Sequence, residues 1–313
     1  ENCRFLRQKV VIKKNTKRYN LLRQFIKDLY QINFFHFLNP LYYKEMDRIY
    51  SDFNPEIVFS WMNRASSLLP KKKLNKEINV GRLGGYYKIK NYLKCDYLIA
   101  NTLDIKNYIC KKGWDPDKVV YIPNFVNENN NSRIKNSEKE KIILCLGRFH
   151  KNKGIDIIIR AMQKLPNFKL WIIGNGNLKN SYLNLIKTLG IAEKVKIFKW
   201  TDNISKYLNV GEMLVCPSRH EPFGNIVVDG WAHKIPIVAS DIGGPSKMIR
   251  DKINGIKFQS ENVNQLVRSI EEISKNKKLK NKLINNGYKE FKKNFSEDIV
   301  VKKYIKFFKE ILK

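Results

Sequence analysis

A chain of 313 residues with 43% hydrophobic side chains is long enough for two domains of about 150 residues and can supply a core to each. Its uninterrupted apolar runs, such as Tyr97–Ala100 and Ile157–Ile159, are far shorter than the ~18–20 residues that cross a bilayer, so no transmembrane helix is expected. Sixty Lys and Arg against 29 Asp and Glu leave a formal charge of +31, a field that attracts phosphates, anionic lipid or nucleic acid without choosing among them.

The first thirty residues carry nine Lys and Arg and no apolar h-region, so no cleavable signal is read there, and the chain opens at Glu1 rather than Met. The basic excess is dense at residues 4–27 and at Lys71–Lys94, which suits an anionic partner; composition alone accounts for much of it, because charge runs are usually solvated faces. Leu21, Leu22, Phe25, Ile26, Leu29 and Tyr30 repeat at helical spacing. After the Asn54-Pro55 stop, Glu56–Ser60 reads as a buried strand. Strand and helix then alternate through Ile78–Val80, Lys88–Lys94 (helix), Tyr97–Asn101, Asp104–Lys112 (helix) and Lys118–Ile122, the order of a parallel sheet.

Residues 127–139, almost devoid of apolar side chains and rich in Asn, Ser and charge, read as a linker between a first domain at 1–126 and a second at 140–296. In the second, apolar strands are expected at Lys141–Leu146, Lys169–Ile173, Val195–Phe198, Met213–Cys216, Ile235–Ala239 and Gly255–Phe258. Helical stretches at Val263–Lys275 and Asp298–Leu312 close the chain, the latter within a terminal segment at 297–313. The fold class is therefore α/β, with two doubly wound parallel sheets.

Cys3, Cys95, Cys110, Cys145 and Cys216 are odd in number and form no C-x-x-C pair, which argues against a disulfide framework or zinc ribbon and fits a reducing, cytoplasmic compartment. His36, His150, His220 and His233 lack the i, i+4 spacing with a carboxylate that marks a catalytic metal site, so no metal is expected. Asp115-Pro116-Asp117 spells D-x-D but falls between a helix and a strand and reads as a turn or cap.

Ligands of open α/β sheets bind beyond the carboxyl ends of strands, so the turns there carry the chemistry. Gly147-Arg148 through Lys153-Gly154 offers a guanidinium and an ammonium beside glycines that allow close backbone approach, a phosphate site in chemical terms, though a solvated basic loop would look the same. Gly174-Asn175-Gly176 is a glycine turn without the third glycine of a dinucleotide fingerprint. Pro217 to Asp229 places Glu221 on a loop, Gly224 and Asn225 at a helix start, and Asp229 one turn inside; helix-dipole complementation would explain the carboxylates equally well. Asp241-Ile242-Gly243-Gly244-Pro245 makes a fourth, tight turn near the same crevice.

Together, Gly147-Arg148 through Lys153-Gly154 and Glu221-x-Phe223-Gly224 through Asp229 resemble the donor motifs of glycosyltransferase family 4, the large retaining family of GT-B fold, over residues 141–260. WMNRA (61–65), RLGGYYKIK (82–90), CDYLIANT (95–102) and IPNFV (122–126) are similar to the bacterial subgroup that builds lipopolysaccharide cores. The resemblance implies two Rossmann-like domains facing a cleft, a terminal segment, 297–313, that packs back on the first domain, no cofactor, and a nucleotide-sugar donor. Arg148 and Lys153 would neutralise its pyrophosphate in place of a metal, and Glu221 would bind sugar hydroxyls. Gly147, Gly174, Phe223, Gly224 and Asn225 would line the donor, and Asp229 would hold its ribose. It also implies a glycan or lipid-linked acceptor at the inner, anionic face of the cytoplasmic membrane. The sequence departs from the family pattern at Asp229, where Glu is usual, and at Lys199, where Gly is usual; nothing upstream of Trp61 matches the family's first strand and Gly-Gly loop, so the first domain is expected to be incomplete. Two other readings stay open: a remnant that binds donor without turnover, and charge-driven nucleic-acid binding, which lacks interleaved stacking aromatics.

Overall fold

A computed structural model describes residues 40–70, 77–127 and 141–313. The helical pattern at 21–30, the basic stretch at 4–27 and nearly all of the 127–139 linker lie outside the described residues. Two compact units are present: α1 (Pro40–Phe53) belongs to one, while Ile57–Leu69 with Ile78–Lys313 forms the other and holds both β-sheets.

The first sheet is built from β1 (Ile57–Trp61), β2 (Ile78–Leu83), β3 (Tyr97–Ala100) and β4 (Val119–Tyr121), all parallel and in sequential order. Helix α2 (Met62–Ser67) links β1 to the second strand's side, and α3 (Leu103–Lys111) links β3 to β4. Helix α3 begins where Thr102 accepts a hydrogen bond from the Ile105 N–H at 3.1 Å, and Asp104 and Lys111 complement its dipole at the two ends. The segment Lys88–Lys94, read from sequence as a helix, is instead a single 3₁₀ turn, Ile89–Tyr92. Its Tyr92 ring is fully buried against Gly81, where an added Cβ would meet it at 2.8 Å, so packing pins the connection too close to the sheet for a longer helix. Leu83, Leu98 and Val119 face Ile105 and Ile109 on one side of the sheet.

The second sheet comprises β5 (Lys141–Leu146), β6 (Phe168–Ile173), β7 (Val195–Phe198), β8 (Met213–Cys216), β9 (Ile237–Ser240) and β10 (Ile256–Phe258), all parallel, in the order β10-β9-β8-β5-β6-β7. Its helices are α4 (Ile155–Ala161), α5 (Lys179–Thr188), α6 (Ser205–Leu208), α7 (Asn225–Ala232), α8 (Gly243–Met248), α9 (Val263–Lys275) and α10 (Lys277–Asn294). The chain runs outward from β5 to β7, then returns to the far side of β5 and runs outward again from β8 to β10. That reversal puts helices on both faces: Ile143, Leu170 and Val215 pack under Ile158 and Leu266, while Leu144, Leu214 and Ile237 pack under Val228 and Trp231. It also opens a crevice beyond the carboxyl ends of β5 and β8, the switch point of the topology.

The last helix, α11 (Glu297–Ile311), covers the other side of the first sheet. Val300 and Phe307 are buried against Val80, Ile99 and Ile122, and the Phe308 ring meets Phe59 edge-on at 5.7 Å. Thus the sequential strands of the first sheet have connections on one side and the chain's last element on the other. Among the described residues no helix is long and apolar enough to cross a membrane.

Candidate functional site

At the switch point the loop after β5 and the loop after β8 meet side chain to side chain. Lys153 Nζ forms an ion pair with Glu221 Oε2, and Ser218 Oγ donates to the same oxygen at 3.4 Å. Backbone geometry brings the loops this close. The N–H groups of Arg219 and His220 both donate to the Asn152 carbonyl, at 2.8 and 3.1 Å. Gly154, at φ 60°, passes so near the Pro217 carbonyl that a Cβ would lie 1.9 Å from its oxygen, so only glycine fits. Gly243, at φ 56°, crosses just as tightly over Glu221, and the Gly244 N–H donates to the Glu221 carbonyl at 2.9 Å. The fourth turn therefore acts as a backbone clamp on Glu221.

Arg148 stands exposed on the same loop; its carbonyl accepts from the His150 N–H at 2.8 Å, while its guanidinium has no hydrogen bond or ion pair among the described residues and is available to an anion. Gly147 donates its N–H to the Ile173 carbonyl at 3.0 Å, and the Lys153 chain lies along it. Gly174 sits behind Gly147, where a Cβ would strike the Gly147 carbonyl oxygen at 1.9 Å; its smallness sets how deep the loop can lie. Phe223 does not present its ring to the crevice: the side chain is buried in the core, edge-on to Phe295 at 6.1 Å, leaving its backbone as the only part that could serve a ligand. Gly224 precedes α7, and Asn225, exposed at the first position of that helix, accepts from Asn124 Nδ2 at 2.6 Å.

Asp229 lies one turn into α7 with no side-chain partner among the described residues, and burial pushes its carboxyl up to about 7. Its backbone is fixed by His233. The Asp229 carbonyl can only accept, so the His233 Nδ1 contact at 2.8 Å requires a proton on Nδ1, and Nε2 then accepts from Ser205 Oγ at 2.9 Å. Burial, which holds the His233 imidazole below its usual value, agrees with this neutral tautomer. Cys145 and Cys216 lie beneath the loops in the core; burial pushes both thiols up, Cys216 to about 11, which removes them as nucleophiles.

Two groups of residues with no role assigned from sequence complete the site. Arg219 donates two hydrogen bonds to Asp156, both at 2.7 Å, one to the Lys151 carbonyl at 3.0 Å, and two more to Glu261. It ties the β5 loop, α4 and the start of α9 to the β8 loop. Burial alone would raise the Asp156 carboxyl, but the hydrogen bonds and charge of Arg219 outweigh it and hold that carboxyl below the ordinary range. The second group joins the two sheets: Arg82 Nη2 donates to Asn124 Oδ1, Arg82 Nε donates to the Tyr304 hydroxyl at 2.9 Å, and Asn124 continues to Asn225. Partners this far apart in sequence leave no local pattern; the one signal available was Arg82 itself, a cation inside an apolar strand. Asp115 caps a 3₁₀ turn by accepting from the Asp117 N–H at 3.0 Å, so the D-x-D sequence is spent on local structure. Among the described residues no three His, Cys, Asp or Glu side chains cluster in a metal-binding arrangement.

Known proteins share this fold. Lipopolysaccharide core biosynthesis glycosyltransferase LpsE of Rhizobium meliloti is 27% identical over 274 residues, covering 86% of this chain and 79% of that protein. A glycosyltransferase of Rickettsia africae superposes with a TM-score of 0.74 at 23% identity, over 86% of this chain and 80% of that one. HepE of Anabaena, solved in complex with UDP and glucose, superposes with a TM-score of 0.73 at 15% identity, over 84% and 80% of the respective chains. The two-sheet architecture is accordingly the GT-B fold. The family model for glycosyl transferases group 1 matches residues 126–290, a span that runs through β5, both facing loops and α7. With more than half of its 313 residues inside that match, the chain belongs to the group 1 glycosyl transferases.

Proposed function

We propose that the chain transfers a sugar from a nucleotide-diphosphate donor to a hydroxyl of a lipopolysaccharide-core or other lipid-linked glycan, with retention at the anomeric carbon and without a metal ion. The observation that carries this reading is the Lys153–Glu221 pair at the switch point of the second sheet, with the exposed Arg148 on the same loop as Lys153. Two cations on one loop, one of them paired with a carboxylate from the facing loop, suit a ligand with a pyrophosphate at one end and hydroxyls at the other. On this reading residues 140–296 hold the donor and residues 1–126 the acceptor. Arg148 and Lys153 take the pyrophosphate, Glu221 takes hydroxyls of the donor sugar, Asn225 adds its amide, and Asp229 takes the ribose. Lys153 leaves its ion pair in part when the diphosphate arrives.

In the transfer itself the acceptor oxygen bonds to the anomeric carbon as the bond from that carbon to the β-phosphate oxygen breaks. The bonding pair departs with the nucleoside diphosphate, whose growing charge Arg148 and Lys153 offset. The acceptor proton passes to the departing phosphate on the same face, which keeps the anomeric configuration and asks no nucleophile of the protein. A chain with a formal charge of +31 is suited to work at an anionic membrane surface, the inner face of the cytoplasmic membrane, where a lipid-linked acceptor lies.

Titration with UDP and GDP tests the donor site. Arg148→Ala removes charge-assisted hydrogen bonds worth ~1.5–3 kcal/mol, so the tighter of the two nucleotides should bind about 10- to 100-fold more weakly. Equal affinity of parent and variant for both nucleotides refutes the assignment.

A further inference from the structure

The carboxyl end of the first sheet carries an aromatic side chain that builds no core. Trp61, the last residue of β1, is 51% exposed, although burying an indole is among the largest apolar gains a fold can make. It is nevertheless held firmly. Arg82, its register partner on β2 and itself 3% exposed, lays its guanidinium over the indole 4.1 Å from the ring centroid, and Phe59 meets the ring edge-on at 5.5 Å. Arg82 is in turn fixed by Tyr304 and Asn124. The chain turns sharply just past the indole: Met62 takes φ 73°, a left-handed conformation unfavourable for any residue with a side chain, and its thioether lies 3.8 Å from the Tyr87 hydroxyl. Strain at the end of a parallel strand, next to an exposed and immobilised aromatic, marks a site built for contact.

Its position says contact with what. Asn124 bridges from Arg82 to Asn225 at the start of α7, so the platform opens beside the proposed donor site. The buried Asn101 donates to Asn124 at 3.4 Å, and its Oδ1 has no hydrogen-bond partner. A rigid aromatic face edged by amides matches a pyranose ring, which has an apolar face of C–H groups and a rim of hydroxyls. We propose that Trp61 is the stacking platform for the acceptor's sugar ring, with Arg82 as the positioning residue that holds the indole in place. This rests on the glycosyl-transfer reading above.

The test uses the full chain saturated with UDP or GDP, whichever binds, and saturation-transfer NMR with two sugar probes: methyl glycosides of hexoses and heptoses, and core oligosaccharide released by mild acid from rough lipopolysaccharide. Ring C–H protons of at least one probe should receive saturation from the parent and from Trp61→Phe. With Trp61→Ala the probe's affinity should fall about tenfold, as expected when an apolar contact of that size is lost, while nucleotide affinity stays unchanged. A probe that binds Trp61→Ala as tightly as the parent overturns the proposal, as does a nucleotide-bound parent that binds no probe. Trp61→Phe failing together with Trp61→Ala, with nucleotide affinity lost in both, makes the residue structural and also overturns it. Absence of any nucleotide binding by the parent strikes instead at the donor reading.

Discussion

Asp229 gives the sharpest test of how burial sets chemistry in this fold. Its carboxyl is raised from 3.8 to about 7 by burial, with no hydrogen bond to compensate. An acid whose folded value lies above its unfolded one keeps its proton in the fold after the unfolded chain has released it. Its contribution to stability is therefore fully present below about pH 3.8, declines as pH rises through the window from 3.8 to 7, and is lost above it. Each pH unit in that window is worth ~1.4 kcal/mol, so the whole penalty at neutral pH is at most about 4 kcal/mol for a side chain that keeps part of its solvent. Asp229→Asn mimics the protonated carboxyl in shape and cannot ionise. Urea unfolding of parent and variant, compared at half-unit steps from pH 4 to 8, should show the variant gaining relative stability by ~1.4 kcal/mol per unit and levelling off above pH 7. A difference between the two that is flat across this range would refute the burial argument. If ribose hydroxyls donate to the carboxylate as proposed, nucleotide binding favours the charged form, and affinity for nucleotide should tighten as pH rises towards 7 in the parent but not in Asp229→Asn.

Other residues yield simpler expectations. Arg219→Ala leaves Asp156 unpaired where it is only 29% exposed and should cost about 2 kcal/mol, after discounting for the more exposed Glu261, seen as a fall in Tm of roughly 4–8 °C. Because the Asp156 carboxyl is lowered in the fold, that stabilisation is present above the ordinary carboxylate value and fades as pH falls through the folded one; parent and variant should converge in acid. Phe307→Ala empties a site buried between α11 and the first sheet and should destabilise by about 3–5 kcal/mol in urea unfolding, whereas no change would mean that α11 contributes little to that core.

Much of the architecture was legible in the chain because its signals are local. Apolar runs of four to six residues such as Lys141–Leu146 and Met213–Cys216, separated by amphipathic stretches, suffice to name a parallel α/β fold. Gly147, Arg148, Lys153 and Glu221 could likewise be picked out, because side chains at the carboxyl ends of such strands are where ligands bind. Lys88–Lys94 was misread as a helix because its conformation is dictated by a Tyr92 ring buried against Gly81, a contact that no periodicity reveals.

What the tertiary structure decided is which of these residues see one another and how much water they keep. That Lys153 pairs with Glu221 follows from β5 and β8 being neighbours, although two strands and their helices separate them in sequence. That Phe223 turns inward and that Asp229 gives up part of its solvent depend on elements distant in sequence packing together, and Arg82 reaches Asn124 and Tyr304 across 42 and 222 positions. Secondary structure is fixed by neighbours along the chain, and a sequence displays those. Electrostatics and hydrogen bonding are fixed by neighbours in space, so the chemistry of Trp61, Asp229 and Arg219 came into view only once the sheets were assembled.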